Sequence, residues 1–199
     1  NHDMGTSGTM ATALEPLRMR ANVHIMERPG SVLLDFHGQA VRFFGVPYPS
    51  RGKLLASVDH AGKSPEEITA LINHGLASIL RSFALTFESD VLNVLLAHGT
   101  VSTATVGEQP RAIANDILLP LSEMERFDYC ALGHIHKQQQ VGKTAWYCGS
   151  LLRQSFGEES EYKGFNLVEL DPVTRHGNVK FIENPHARVY GTLTYEDLE

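Results

Sequence analysis

The chain has 199 residues, of which 42% are hydrophobic and 20% are charged, and its formal net charge is −6. This composition is typical of a globular domain and argues against extensive disorder; with no long apolar run and no leader-like start, we expect a cytoplasmic chain without a membrane span. The acidic balance also counts against nucleic-acid binding through surface charge alone, because lysine and arginine supply most non-specific affinity for phosphates.

The first part of the chain predicts a short helix over residues 11–20, a strand over 23–25 and then a hairpin. The hairpin strands are the alternating apolar segments 31–37 and 40–46, joined at Gly38-Gln39. Beyond two prolines lies a loop rich in small and basic residues.

A long helix follows. Ser64 is suited to be its N-cap, Pro65 to be its first residue and two glutamates to fill its first turn. Apolar residues then recur at helical spacing: Ile68, Leu71, Ile72, Leu76, Ile79, Leu80 and Phe83.

The second half predicts mainly strands. Val91–Ala97 and Tyr129–Leu132 are short apolar runs typical of buried strands, with a partly helical stretch over 112–124 between them. Further strands are predicted at 144–148, 164–170 and 178–182. The sum is an α/β (α+β) domain in which helices pack on a layered sheet core. Cys130 and Cys148 are expected to be buried free thiols.

Three of the ten histidines stand just after predicted strands, beside glycine. They are His98 in Ala-His-Gly, and His134 and His136 in Gly-His-Ile-His. Glycine lets the chain turn sharply at a strand end, and imidazoles from neighbouring strand ends can then share one space. A single histidine of this kind is more often a loop residue, but the three together favour a metal site.

The opening Asn1-His2-Asp3 extends this pattern. An asparagine carbonyl suits a hard divalent ion, and a neighbouring histidine outside the ligand set can transfer a proton. Asn-His-Asp, His-Gly and Gly-His-x-His, in this order, resemble the last three motifs of the calcineurin-like metallophosphoesterases.

A later segment narrows the resemblance. Gly149-Ser150 is followed by Arg153, by Phe156-Gly157-Glu158 and by Lys163-Gly164 before a strand. This pattern resembles the SbcD family, the nuclease subunits of the SbcCD DNA double-strand-break repair complex, over residues 1 to about 185.

The resemblance implies a set of roles. Asn1, His98 and His134 would hold one metal ion, and His136 would hold the other. His2 would assist catalysis, and Asp3 would orient the motif. The ions would be two Mn ions, with Mg as an alternative. The activity would be exonuclease degradation of duplex DNA from its ends and endonuclease cleavage of single strands or hairpins.

Partners and boundaries follow from the same resemblance. They are an SbcC-type coiled-coil ATPase and a second copy of the chain in a homodimer. Residues 1–184 would be the C-terminal part of the nuclease domain, a layered α/β/β/α sandwich incomplete at its N-terminus, and residues 185–199 would begin a linker or cap domain.

The resemblance lacks the family's first two motifs, Asp-x-His and Gly-Asp-x-x-Asp, which precede Asn-His-Asp in the family. The expectation is therefore a half-site with weak metal binding and little activity, and a sheet with an unpaired edge and exposed apolar surface. Two alternatives remain open: another calcineurin-like phosphoesterase, and a non-catalytic subunit that binds DNA or the ATPase. Arg51, Lys53 and Arg153 are weaker candidates for contacts with the DNA backbone.

Overall fold

The computed structural model describes residues 14–48, 62–106, 109–110 and 117–192. Ten strands and two α-helices are found in these ranges. The strands are β1 (Gly30–Phe36), β2 (Gln39–Val46), β3 (Leu92–His98), β4 (Thr105–Val106), β5 (Gln109–Pro110), β6 (Tyr129–Gly133), β7 (Gln139–Gln140), β8 (Ala145–Tyr147), β9 (Gly164–Leu170) and β10 (Gly177–Glu183). The α-helices are α1 (Pro65–Ala84) and α2 (Leu121–Met124).

A six-stranded mixed sheet organises the molecule, in the order β1-β2-β3-β6-β8-β7. Strands β2, β3, β6 and β8 are parallel, and the edge strands β1 and β7 run antiparallel to their neighbours. The predicted mixed α/β class is confirmed. Because the central strands are parallel, their carboxyl ends lie along one edge of the sheet, where sites collect in such folds.

The hairpin of β1 and β2 turns one residue earlier than the sequence suggested. The turn is His37-Gly38, with φ of 56° and 90°, and not Gly38-Gln39. Two positive φ values are required by the tight turn that matches the twist of the two strands. The Gly38 N–H also donates to the Asp35 carboxylate at 3.0 Å, which holds the turn closed.

Helix α1 forms as its sequence predicts, with both hydrogen bonds of a capping box. The Glu67 N–H donates to the Ser64 hydroxyl, and the Ser64 N–H donates to the Glu67 carboxylate. The apolar stripe of α1 covers one face of the sheet, where it meets Phe44 and Leu95 in the larger core cluster. Burial of this stripe, more than helix propensity, is what keeps such a helix folded.

The second face of the sheet is partly covered by the β9–β10 hairpin. Val168, Leu170 and Val179 of the hairpin pack against a smaller core cluster made of Val41, Leu92, Val94 and Tyr129. Arg175, in the turn of the hairpin, pairs with the Asp128 carboxylate through two 2.8 Å contacts. The same guanidinium donates to the carbonyl oxygens of Ser89 and Val91, so it fastens the hairpin to the sheet.

Among the described residues, the remainder of that face is covered only in part, where His24 and Met26 lie against it. It is a largely apolar hollow of about 490 Å³ between β1, β2, β3 and β6 that reaches His98. Phe36 and Leu96 on it are 50% and 41% exposed. The expectation of exposed apolar surface is borne out here, and β1, with no strand on its outer side among the described residues, is an edge.

Other expectations met mixed outcomes. Residues 23–25 are irregular and not a strand, and the 11–20 helix is reduced to a 3-10 turn at Glu15–Met19, with 11–13 outside the described residues.

Both cysteines are free, Cys130 buried and Cys148 half-buried. No helix in the described part of the chain is long and apolar enough to cross a bilayer. The boundary near residue 184 stays a prediction.

Candidate metal centre

His98 and His134 come together at the carboxyl edge of the parallel strands. His98 is the last residue of β3, and His134 directly follows β6, its hydrogen-bonded neighbour in the sheet. The two imidazole rings lie with their centroids 5.5 Å apart. The predicted convergence of these two histidines is therefore present in the fold.

The backbone around the pair is shaped for close approach. A Cβ on Gly133 would lie 2.8 Å from His98 Nδ1, so only glycine leaves room for that ring. His134 has a φ of 103°, which side-chain-bearing residues rarely adopt and which costs on the order of 1–3 kcal/mol. A strained histidine kept where glycine would be relaxed is typical of a functional position.

A tyrosine that the sequence did not single out completes this cluster. The Tyr48 ring centroid lies 5.9 Å from that of His98 and 5.6 Å from that of His134. Tyr48 follows β2, the strand on the other side of β3, so three successive parallel strands each place a ring at the same edge.

The loop after His98 is held by a buried hydroxyl. Tyr147 of β8 is fully buried; its hydroxyl donates to the Gly99 carbonyl at 2.6 Å and accepts from the Val101 N–H at 3.0 Å. The backbone that follows the first histidine is therefore fixed from the interior of the protein.

His136 has a different environment. Its Nδ1 lies 3.1 Å from a Glu158 carboxylate oxygen, and its side chain is 49% exposed. An ionised carboxylate can only accept a hydrogen bond, so this contact is a hydrogen bond in the forms of the ring that carry a proton on Nδ1.

Glu158 is in turn held by Lys163. The Lys163 side chain is completely buried, and its ammonium lies 2.6 Å from Glu158 and 2.8 Å from Glu161. It also donates to the His136 carbonyl at 3.1 Å. Burial opposes ionisation of Glu158, but the hydrogen bonds from Lys163, His136 and the Gln154 N–H together lower the pKa of this carboxyl. Glu158 is therefore ionised at neutral pH.

Arg153 contacts the backbone of the loop that contains Glu158. Its guanidinium donates to the carbonyl oxygens of Glu158, Glu159, Glu161 and Arg188, at 2.8 to 3.2 Å. These contacts fold the loop that carries Glu158. The suggested contact between Arg153 and DNA stays a prediction.

Several candidates fall outside the described residues, namely Asn1, His2, Asp3, Arg51 and Lys53. Within the part that is described, no three His, Cys, Asp or Glu side chains come together as a metal site. In the predicted ligand set, Asn1, His98 and His134 hold one ion and His136 holds the other. Because Asn1 lies outside the described residues, this ligand set stays a prediction.

The segment from Gly149 to Lys163 supplies the residues that sequence reasoning missed. Gly149 has a φ of 77°, and a Cβ there would lie 2.8 Å from the His136 carbonyl oxygen, to which the Ser150 N–H donates at 3.1 Å. The signal was visible in the sequence as Gly-Ser, Phe-Gly-Glu and Lys-Gly. Its meaning, a support for His136, needed the structure.

Comparison with known proteins gives a distant similarity. Over 134 residues the chain is 24% identical to the SbcD subunit of nuclease SbcCD from Staphylococcus epidermidis, and the match covers 66% of this chain and 34% of that protein. The matched part thus spans about a third of that relative. No family model matches the chain. The similarity supports a nuclease or phosphoesterase relationship.

Proposed function

We propose that this chain forms part of a two-metal phosphodiesterase that cleaves DNA at its ends. The observation that carries the proposal is the approach of the His98 and His134 rings at the carboxyl edge of neighbouring parallel strands. The similarity to the SbcD subunit of the staphylococcal nuclease supports the same chemistry.

The donor groups fit a manganese site. Imidazole nitrogens, here those of His98, His134 and His136, bind first-row transition metals, and the Asn1 carbonyl oxygen would add the kind of donor that Mn²⁺ prefers. Asn1, His98 and His134 would hold one ion and His136 the other; Mg²⁺ is the alternative metal. When bound, paired cations make a hydroxide nucleophile available and neutralise charge on the phosphoryl oxygens.

The chain's own residues have distinct tasks in this proposal. His2 would donate a proton to the departing oxygen, and Asp3 would orient the Asn1-His2 pair. Arg51, Lys53 and Arg153 would contact the DNA backbone. The remaining ligands would come from the Asp-x-His and Gly-Asp-x-x-Asp motifs that precede Asn-His-Asp in the SbcD family. An SbcC-type ATPase and a second copy of the chain would be the partners.

Manganese binding by the 199-residue chain is the first test. We expect weak binding in an electron paramagnetic resonance titration, and its loss in His98→Ala and in His134→Ala. His74→Ala is the matched control, because His74 is an exposed histidine of α1 far along the chain from the strand ends. Equal manganese binding by all three variants would mean that His98 and His134 are not metal ligands.

The second test uses the longest native form of the protein that contains these 199 residues. We expect Mn²⁺-dependent release of nucleotides from linear duplex DNA, measured beside hydrolysis of a small chromogenic phosphate ester. Cleavage of the ester alone would indicate another calcineurin-like phosphoesterase. DNA binding without any hydrolysis would indicate a non-catalytic subunit.

A further inference from the structure

We infer that Glu158 and Lys163 are positioning residues for His136, which hold its imidazole with the proton on Nδ1 and Nε2 open to a metal ion. The metal part of this inference rests on the proposed function. The orientation of the ring is a property of the metal-free chain and can be measured without any metal.

Contacts at both ends of the His136 residue carry the inference. Glu158 engages Nδ1 of the ring at 3.1 Å, and the Lys163 ammonium donates to the carbonyl of the same residue at 3.1 Å. Because Lys163 also pairs with Glu158, the side chain and the backbone of His136 are tied to one ion pair.

The ion pair between Lys163 and Glu158 is largely buried, which restricts its geometry. The Lys163 side chain has no exposed surface, and the Glu158 side chain is only 13% exposed. A buried ammonium is tolerated only with charged partners in good geometry, so Lys163 confines Glu158 to one arrangement. Arg153 restricts it further by donating to the Glu158 carbonyl.

Glu161 provides a matched comparison. It pairs with the same ammonium at 2.8 Å, has a side chain that is 9% exposed and lies three residues from Glu158. The contact of the His136 ring, however, is with Glu158. Glu158→Ala and Glu161→Ala each leave Lys163 one carboxylate, so both should fold, and only the first removes the acceptor for Nδ1.

The experiment is ¹⁵N nuclear magnetic resonance of the histidine side chains in the metal-free chain, at about pH 8, where imidazole is ordinarily neutral. His136 should carry its proton on Nδ1 in the wild type and in Glu161→Ala. In Glu158→Ala the proton should move to Nε2, which free imidazole side chains favour. Glu158→Gln keeps an oxygen that can accept from Nδ1 and should restore the wild-type tautomer.

The affinity of the His136 site for manganese should fall about 10- to 100-fold in Glu158→Ala, the usual effect of removing the hydrogen-bond partner of a metal-binding histidine. In Glu161→Ala this affinity should stay near that of the wild type. A wild-type His136 protonated on Nε2, or the same tautomer in both alanine variants, would overturn the inference. If the tautomer contrast is found but the wild type binds no manganese, the ring orientation stands and the proposed function fails.

Discussion

Tyr147→Phe is the sharpest test of how the interior fixes the strand-end backbone. The substitution removes one oxygen atom from a fully buried side chain and leaves its ring in place. The Gly99 carbonyl and the Val101 N–H each lose a hydrogen-bond partner, and Val101 is itself only 1% exposed. Water therefore has little access to replace the hydroxyl.

The expected cost follows from these two groups. A buried backbone group left without its partner costs about 1–3 kcal/mol, so for two such groups we expect the free energy of unfolding to fall by about 2–6 kcal/mol. In a domain of this size each kcal/mol lowers Tm by about 2–4 °C. Urea denaturation and calorimetry would measure both quantities.

Tyr162→Phe is the control, because Tyr162 is 70% exposed and should change the unfolding free energy by less than about 0.5 kcal/mol. If Tyr147→Phe were as stable as this control, the hydroxyl would not hold the loop after His98. Manganese binding is a second measurement. Tyr147→Phe should bind manganese more weakly, because Gly99, next to His98, loses the hydrogen bond that holds its carbonyl.

Three further outcomes are expected. Arg175→Ala removes the charge-assisted hydrogen bonds to Asp128, and denaturant unfolding should show a loss of about 1.5–3 kcal/mol; an unchanged midpoint would mean that the β9–β10 hairpin is held by apolar packing alone. Burial raises the pKa of Cys130 to about 12, so a thiol reagent at pH 8 should label this cysteine only after unfolding, and prompt labelling of the native chain would contradict the structure. Folding lowers the pKa of Glu158, so the contribution of this carboxylate to stability is present above the unfolded pKa of about 4.5 and is lost as the pH falls through the lower folded value. As the pH is lowered, Glu158→Gln should therefore lose less unfolding free energy than the wild type. Parallel plots of unfolding free energy against pH for the two proteins would refute this prediction.

Features written in local sequence were predictable. The capping box at Ser64 and the apolar spacing of α1 fixed that helix, and the runs ending in His98 and Gly133 fixed two central strands. Their histidines meet because parallel neighbours end at the same edge. Each of these features depends on contacts within a few residues or on a general property of sheets.

Features that depend on distant contacts were not predictable. The loop from Gly149 to Lys163 gains its meaning from His136, more than twenty positions away from Glu158 and Lys163. Val23–Ile25 has strand-like residues but pairs with no strand among the residues that the structure describes, so propensity was overridden by context. The hairpin turn was misplaced by one residue because a histidine, and not a second glycine, takes a positive φ beside Gly38.

The parallel centre of the sheet also determines how the chain must fold. Residues 41–46 pair with residues 92–97, so the long segment between them must be closed into a loop before these two strands can pair with each other. Arrangements with such long sequence separation form slowly and expose unpaired strands on the way. Refolding from denaturant should therefore be slow, and its yield should decline steeply as protein concentration rises.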